Sequence, residues 1–335
     1  MDFQATNKKN YPSEIIEIKR TGNVFLIETA NCSLEVQVYS SRIIRFRYGI
    51  DYLSRDFSYA KAPDFNFTDT PVELIEDDKQ LVIKTSEVVC HIERDTMSIS
   101  LFTIDGRLIN CDDGGFHWEP NPGYGGHYVY CTKQIQQHEN FFGLGDKATS
   151  QNLRGKRFLN WGTDTYGFAK EQDPLYRNIP FYFGLHHNIS YGIFFDNSFQ
   201  TFFDFGKESN THASFWAEGG QMCYYFIYAP TLMQVAEEYC KITGLPELPP
   251  KWTLGYHQSK WSYYPETVVK ELAGNFRSKA IPCDVIHLDI DYMKGFRCFT
   301  WDLERFPDPK RMIAELREQG FKIIVIIDPG IIKVK

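Results

Sequence analysis

The hydrophobic pattern of this chain changes period at "LPELPPKW", residues 245–252. Before that stretch, apolar and polar residues alternate. After it, stripes at helical spacing separate short apolar runs. Alternation suits a strand with one buried face, and a period of 3.6 suits a helix. Three prolines within six residues, Pro246, Pro249 and Pro250, make the stretch between them stiff. The pattern therefore predicts a β domain over residues 1–244, a linker over 245–251 and an α/β domain beginning at 252.

In "SLEVQVYS", Leu34, Val36 and Val38 face one way, and Glu35 and Gln37 the other. "RIIRFRYG" repeats this, with Ile44, Phe46 and Tyr48 opposite Arg45 and Arg47. "LVIKTSEVVCHIER" and "MSISLFTIDG" continue it, and "TIDGR" and "NPGYGG" supply turns. "IPFYFGLHH", "SYGIFFDNS" and "QMCYYFIYAP" add further strands. Many short strands at this spacing predict an antiparallel sandwich. The first helix is expected in "PTLMQVAEEYCKITG", with Thr231 and Gln234 as a capping box and Gly244 at its end.

After the linker, "WTLGYHQ" reads as a short strand, "PETVVKELAGNFRSK" as a helix with Pro265 at its first position, and "CDVIHLDI" as a strand. "DPKRMIAELREQG" reads as a helix capped by Asp308, and "FKIIVIID" as a continuously apolar strand. This β-α-β-α-β order predicts parallel strands with helical crossovers, the start of a (β/α)8 barrel. Three strands in about 90 residues cannot close a barrel, which takes about 250. The third strand would be an unpaired apolar edge, so more chain is expected to belong to this domain.

Composition narrows the partners. A net charge of −7 gives no basic field and argues against nucleic acid. No apolar run reaches the roughly 18 residues that span a membrane. The N-terminus "MDFQATNKKNYPSEI" has no apolar signal core, and the eight scattered cysteines form no C-x-x-C pair. A cytoplasmic, reduced protein is expected, although a removed signal peptide would leave no trace. No cofactor and no metal are expected, and homo-oligomers stay open. Aromatics at 16% suit a β-rich core and equally a sugar-binding protein.

In parallel α/β units, functional residues gather at the C-terminal ends of strands. The three ends here are "HQSKWSYY", "DIDYM" and "IIDPG". Carboxylates beside aromatic faces suit sugars: the carboxylate accepts hydroxyl hydrogen bonds and the ring covers the C–H face. Each residue also has a plainer role. A strand-end Asp caps the next helix or holds a loop amide, Trp261 is ordinary packing, and His287 is an interior histidine. His287, Asp289 and Asp291 at alternate positions would share one strand face, an arrangement that could hold a metal. "FFGLGDK" lacks the strand-then-helix setting of a phosphate loop. "NWGTDTYG" is a polar, aromatic loop of the kind that serves a neighbouring site.

Together, "FFGLGDK", "NWGTDTYG", "IPFYFGL", "GLPELPPKWTLGYHQSKWSY", "CDVIHLDIDYM", "FTWDLERFPDP" and "IIVIIDPGI", spread over residues 140–332, resemble glycoside hydrolase family 31. This is the family of α-glucosidases, α-xylosidases and α-transglucosylases. The resemblance implies an N-terminal β-sandwich, a (β/α)8 barrel and a retaining mechanism with two carboxyls about 5–5.5 Å apart. It places both catalytic aspartates on later barrel strands, C-terminal to residue 335, so none in this chain is named as catalytic. By the same resemblance Asp289 holds the far hydroxyls of the −1 sugar. Ile290 and Ile326 line that pocket, and Trp261 is its aromatic wall. Asp164 reaches toward the +1 sugar, while Asp291, Asp328 and His287 support the site. Lys294 departs from the family, where an acidic residue is commoner after "DYM".

The leading expectation is an exo-acting α-glucosidase taking α-glucoside oligosaccharides from the non-reducing end. An α-xylosidase or α-glucosyltransferase on the same scaffold is the near alternative. Two other classes are a non-catalytic carbohydrate binder and a metal-dependent hydrolase using His287, Asp289 and Asp291.

Overall fold

The computed structural model describes residues 8–328 and divides the chain into two compact units, Met1–Leu245 and Pro246–Lys335. Among the described residues the first unit holds two antiparallel sheets. One has eight strands, in spatial order Ile15–Thr21, Val24–Thr29, Ser33–Val38, Ile43–Gly49, Cys223–Ala229, Ile189–Phe195, Asn178–His186 and Asn140–Gly145. The other has nine: Arg157–Asn160, Thr201–Phe205, His212–Ala217, His127–Gln134, Leu108–Pro120, Ile99–Thr103, Val88–Glu93, Gln80–Lys84 and Glu73–Glu76.

Inward residues of both sheets form one core. Leu34, Val36, Phe46 and Phe226 meet Leu101, Val129, Phe203 and Phe215. Rings stack across the gap, Tyr48 on Phe116 at 4.2 Å and Phe141 on Phe205 at 4.7 Å. Such contacts add about 0.5–1.5 kcal/mol each beyond the area they bury.

The outward face of the eight-stranded sheet is covered as well. Helix Leu232–Thr243 lies on it, with Tyr239 stacked on Phe181 at 4.0 Å and Val235 and Ile242 fully buried. Thr231 caps the helix by accepting the Gln234 backbone N–H, and its hydroxyl donates to the Gln234 side chain. The polar half of "RIIRFRYG" is accordingly buried: Arg45 is 2% exposed and makes a two-pronged bond to Asp56, 2.8 and 2.7 Å. Arg47 pairs with Glu35. Alternation marks which way these side chains point, and a covering loop decides whether water is there.

Two charged groups sit inside the sandwich. Lys133 donates to Asp112 at 2.5 Å and to the Tyr224 hydroxyl at 3.1 Å. Burial works to strip the Lys133 proton, and the Asp112 carboxylate, with Cys131 and Tyr48 beside it, outweighs that and holds the ammonium above its ordinary range. Removing one partner of such a pair costs about 3–5 kcal/mol.

The second unit is a three-stranded parallel sheet with two helices. Its strands are His257–Gln258, Val285–Leu288 and Lys322–Val325, in that spatial order. His257 pairs with Val285, and Leu288 with Val325. Helices Glu266–Ser278 and Pro309–Glu318 connect them and bury Val269, Ala273, Met312 and Leu316 against Ile286 and Leu288. Pro309 is the first helical residue and Asp308 accepts the Arg311 N–H at 3.0 Å, as the sequence predicts. Pro265 is one position earlier than expected, capping its helix. "WTLGYHQ" differs more: Lys251–Leu254 is a 3-10 turn, and only His257 and Gln258 extend. The fold is thus an antiparallel β-sandwich followed by the first β/α units of a (β/α)8 barrel. Among the described residues no helix is long and apolar enough to cross a membrane.

Candidate active site

The strand Val285–Leu288 points Ile286 and Leu288 at the helices, which leaves His287 on the opposite side. There the His257 ring is its hydrogen-bond partner. His257 Nε2 donates to the Thr253 carbonyl at 3.1 Å, and its Nδ1 shares a hydrogen bond with His287 Nε2 across 3.0 Å. Burial, then the neighbouring His257, holds His287 below the ordinary histidine range and so neutral.

The expected alternation of His287, Asp289 and Asp291 along one strand face ends at Leu288. Asp289 turns its carboxylate onto the next backbone N–H, Ile290, at 2.7 Å and caps a 3-10 turn, Ile290–Tyr292. A carboxylate that captures a local N–H competes with the extended ladder. Asp291 lies inside that turn, so the three groups do not share a face, and the premise of the metal reading fails.

Three strand ends are tied together here. The Ile326 N–H donates to the Leu288 carbonyl at 3.0 Å, and Tyr292 Oη donates to the Ile326 carbonyl at 2.8 Å. The Cys298 thiol donates to the Asp328 carbonyl at 3.2 Å. From the first strand end, Trp261 Nε1–H donates to Asp291 Oδ2 at 3.2 Å. Asp291 is 8% exposed, whereas Trp261 is 78% exposed, so the indole is held at its N–H on an otherwise exposed residue. Ile290 is half-buried, and Ile326, one residue beyond the third strand, is 40% exposed. Asp289, Asp291, Trp261, Ile290 and Ile326 are thus brought to one end of this sheet.

Asp164 belongs to the sandwich unit and stands exposed on the loop after strand Arg157–Asn160, with Trp161, Tyr166 and Phe168 also exposed. The Tyr176 phenol beside it is held above its ordinary range by partial burial and by the Asp164 carboxylate. The loop is closed at its base by a residue the sequence reading passed over. Lys147, from "FFGLGDK", donates to Asp173 at 2.7 Å, to the Leu159 carbonyl at 2.9 Å and to Asn178 at 3.3 Å. Asp173 in turn accepts the Leu159 N–H at 2.6 Å. The glycines of that motif serve strand packing: a Cβ on Gly145 would stand 2.5 Å from the Arg177 carbonyl oxygen, and its φ of +81° suits glycine alone.

A cleft of about 400 Å³ opens on the sandwich, lined by Arg45, Asp56, Phe57, Ser58, Tyr59 and Asp196 among others. In it Arg45 is paired with Asp56, and Asp196 accepts the Ser58 hydroxyl at 3.0 Å through one oxygen.

The chain belongs to glycoside hydrolase family 31. Residues 33–204 match the family model described as "Glycosyl hydrolase 31 N-terminal galactose mutarotase-like domain", and residues 246–335 match "Glycosyl hydrolases family 31 TIM-barrel domain". Among relatives, the chain is 35% identical over 318 residues to Alpha-glucosidase 2 of Bacillus thermoamyloliquefaciens, covering 93% of this chain and 39% of that protein. It is 30% identical over 273 residues to Alpha-xylosidase XylQ of Lactiplantibacillus pentosus, covering 76% and 34%. A solved family 31 dextranase from Flavobacterium johnsoniae, complexed with glucose, superposes with a TM-score of 0.85 at 31% identity, over 94% of this chain and 38% of that one. The chain therefore spans between a third and two fifths of the length of these relatives.

Proposed function

We propose that these residues serve a retaining, exo-acting α-glucosidase that releases glucose from α-linked oligosaccharides. The observation that carries the proposal is the gathering of Asp289, Ile290, Trp261 and Ile326 at the ends of three parallel strands. The 35% identity to an alpha-glucosidase supports it. Asp289 would accept hydrogen bonds from the −1 sugar's far hydroxyls, Trp261 would cover its C–H face, and Ile290 and Ile326 would exclude water. Asp164 would serve the +1 sugar. Asp291, Asp328 and His287 would hold the site's shape. The nucleophile and the acid/base are assigned to carboxylates outside residues 1–335. One attacks the anomeric carbon while the other protonates the leaving oxygen, and water then releases the sugar with its α configuration kept.

Similarity to Alpha-xylosidase XylQ favours one second reading, an α-xylosidase. The deciding experiment assays the protein in its full encoded length on 4-nitrophenyl α-glucoside and α-xyloside, following the released anomer by proton NMR. The proposal expects α-glucose first. Release of β-glucose, or preference for the xyloside, overturns it. Residues 1–335 alone are expected to give no turnover.

A further inference from the structure

Trp261 combines an exposed ring with a pinned N–H, and what pins it is itself held. Asp291 Oδ2 receives the indole hydrogen, while Oδ1 accepts Arg305 Nη1 at 3.1 Å. The same Nη1 also donates to the Asp291 backbone carbonyl at 3.2 Å. Arg305 is fixed from three further sides. Its guanidinium lies over the Tyr264 ring, 4.5 Å from the centroid, its Nε is 3.6 Å from Asp302 Oδ2, and its backbone carbonyl accepts the Glu266 N–H at 3.0 Å. Tyr264 is three residues after Trp261, so Arg305 reaches the Trp261 segment twice, once through the carboxylate and once through the ring. A planar guanidinium can bond a carboxylate and stack on a ring together, which an ammonium cannot do as well. The half-exposed Arg305 makes more contacts than a surface ion pair needs, through Nη1, Nε and one face of its guanidinium.

We propose that Arg305 is a positioning residue: acting through Asp291 and Tyr264, it sets the angle at which Trp261 meets the sugar. This rests on the sugar-binding reading of Trp261 given above. Arg305 touches no substrate and performs no chemistry. Orientation of a binding wall matters because misplacement by about 1 Å can cost a hundredfold in rate.

The experiment has two arms. In the full-length protein labelled with 15N-tryptophan, the Trp261 indole resonance is assigned through Trp261→Phe and its hydrogen exchange is followed. Arg305→Met is expected to speed that exchange at least tenfold, and Arg305→Lys by less, with the indoles of Trp118, Trp161, Trp216, Trp252 and Trp301 unchanged. Unchanged exchange at Trp261 in Arg305→Met overturns the proposal whether or not the protein is a glucosidase. In the second arm, kcat/KM on the aryl α-glucoside is measured for Arg305→Met, Trp261→Phe and the double variant, with melting temperatures alongside. The two losses are expected to overlap, the double variant losing no more than about the larger single loss. Fully multiplying losses overturn the proposal. A wild type without α-glucosidase activity overturns the proposed function instead, and leaves the exchange arm to decide on Arg305.

Discussion

At Asp289, two demands fall on one side chain. One oxygen caps the turn that follows the second barrel strand, at 2.7 Å from the Ile290 nitrogen, and the proposed role needs the carboxylate to accept sugar hydroxyls as well. A carboxylate has lone pairs enough for both. Asp289→Ala in the full-length protein is expected to lower kcat/KM on an aryl α-glucoside by well over tenfold, because charged hydrogen bonds that tighten in the transition state are lost. A fall of less than about tenfold, roughly 1.4 kcal/mol, would show that Asp289 does not hold the sugar. A different carboxyl sets a pH dependence. Glu139 is 1% exposed in the sandwich, accepting the Tyr191 hydroxyl at 2.6 Å and the Gln136 N–H at 2.7 Å, and burial pushes it up to about 7 from 4.5. Between those values the folded state holds a proton that the unfolded state has released. Stability from this group is therefore present at low pH and falls as pH rises from about 4.5 to about 7, by about 3 kcal/mol in all. Urea unfolding at pH 5 and pH 7.5 should show a smaller drop in Glu139→Gln than in wild type. Equal drops would mean that Glu139 is not the group responsible.

At the scale of elements, the Asp164 loop depends on a latch three strands wide. Lys147 leaves strand Asn140–Gly145, Asp173 closes the loop, and Leu159 and Asn178 belong to the strands on either side. Burial lowers the Lys147 ammonium from its ordinary range, and Asp173 works against that. In Lys147→Met, Asp173 keeps only its N–H partner, and native-state trypsin should cut after Lys170 several-fold faster. Unchanged cutting would mean that the loop is held by other means. Neither this latch nor the Lys133–Asp112 pair was legible in the sequence, since each joins residues more than twenty positions apart and nothing local announces the partner. Features written into short-range pattern were legible. The alternation in "SLEVQVYS", the Thr231 and Asp308 caps and the βαβ order all appear, and the motif-borne residues Asp289, Ile290, Trp261 and Ile326 arrive at one sheet end. The reading went astray where a side chain overrode a local pattern. Asp289 halts the strand by bonding its neighbour's N–H, and Arg45 is buried because a later loop covers it.

For the whole molecule, the two units differ in how completely each closes its own core. The sandwich core draws every buried member from residues 15–226, and helix Leu232–Thr243 covers the outward face of one sheet from residues just beyond. The barrel unit packs its helices against one side of three strands, with Ile326 and Ile327 40% and 50% exposed at the end of the edge strand Lys322–Val325. Apolar surface left open at a sheet edge favours association, whereas a two-sheet core filled from both sides supports cooperative folding. Residues 1–245 expressed alone should therefore be soluble, with dispersed amide resonances and one cooperative unfolding transition, and Lys133→Met should lower that transition sharply. Residues 246–335 expressed alone should aggregate. A 1–245 protein that melts gradually, with collapsed amide dispersion, would show that the sandwich borrows stability from the rest of the chain.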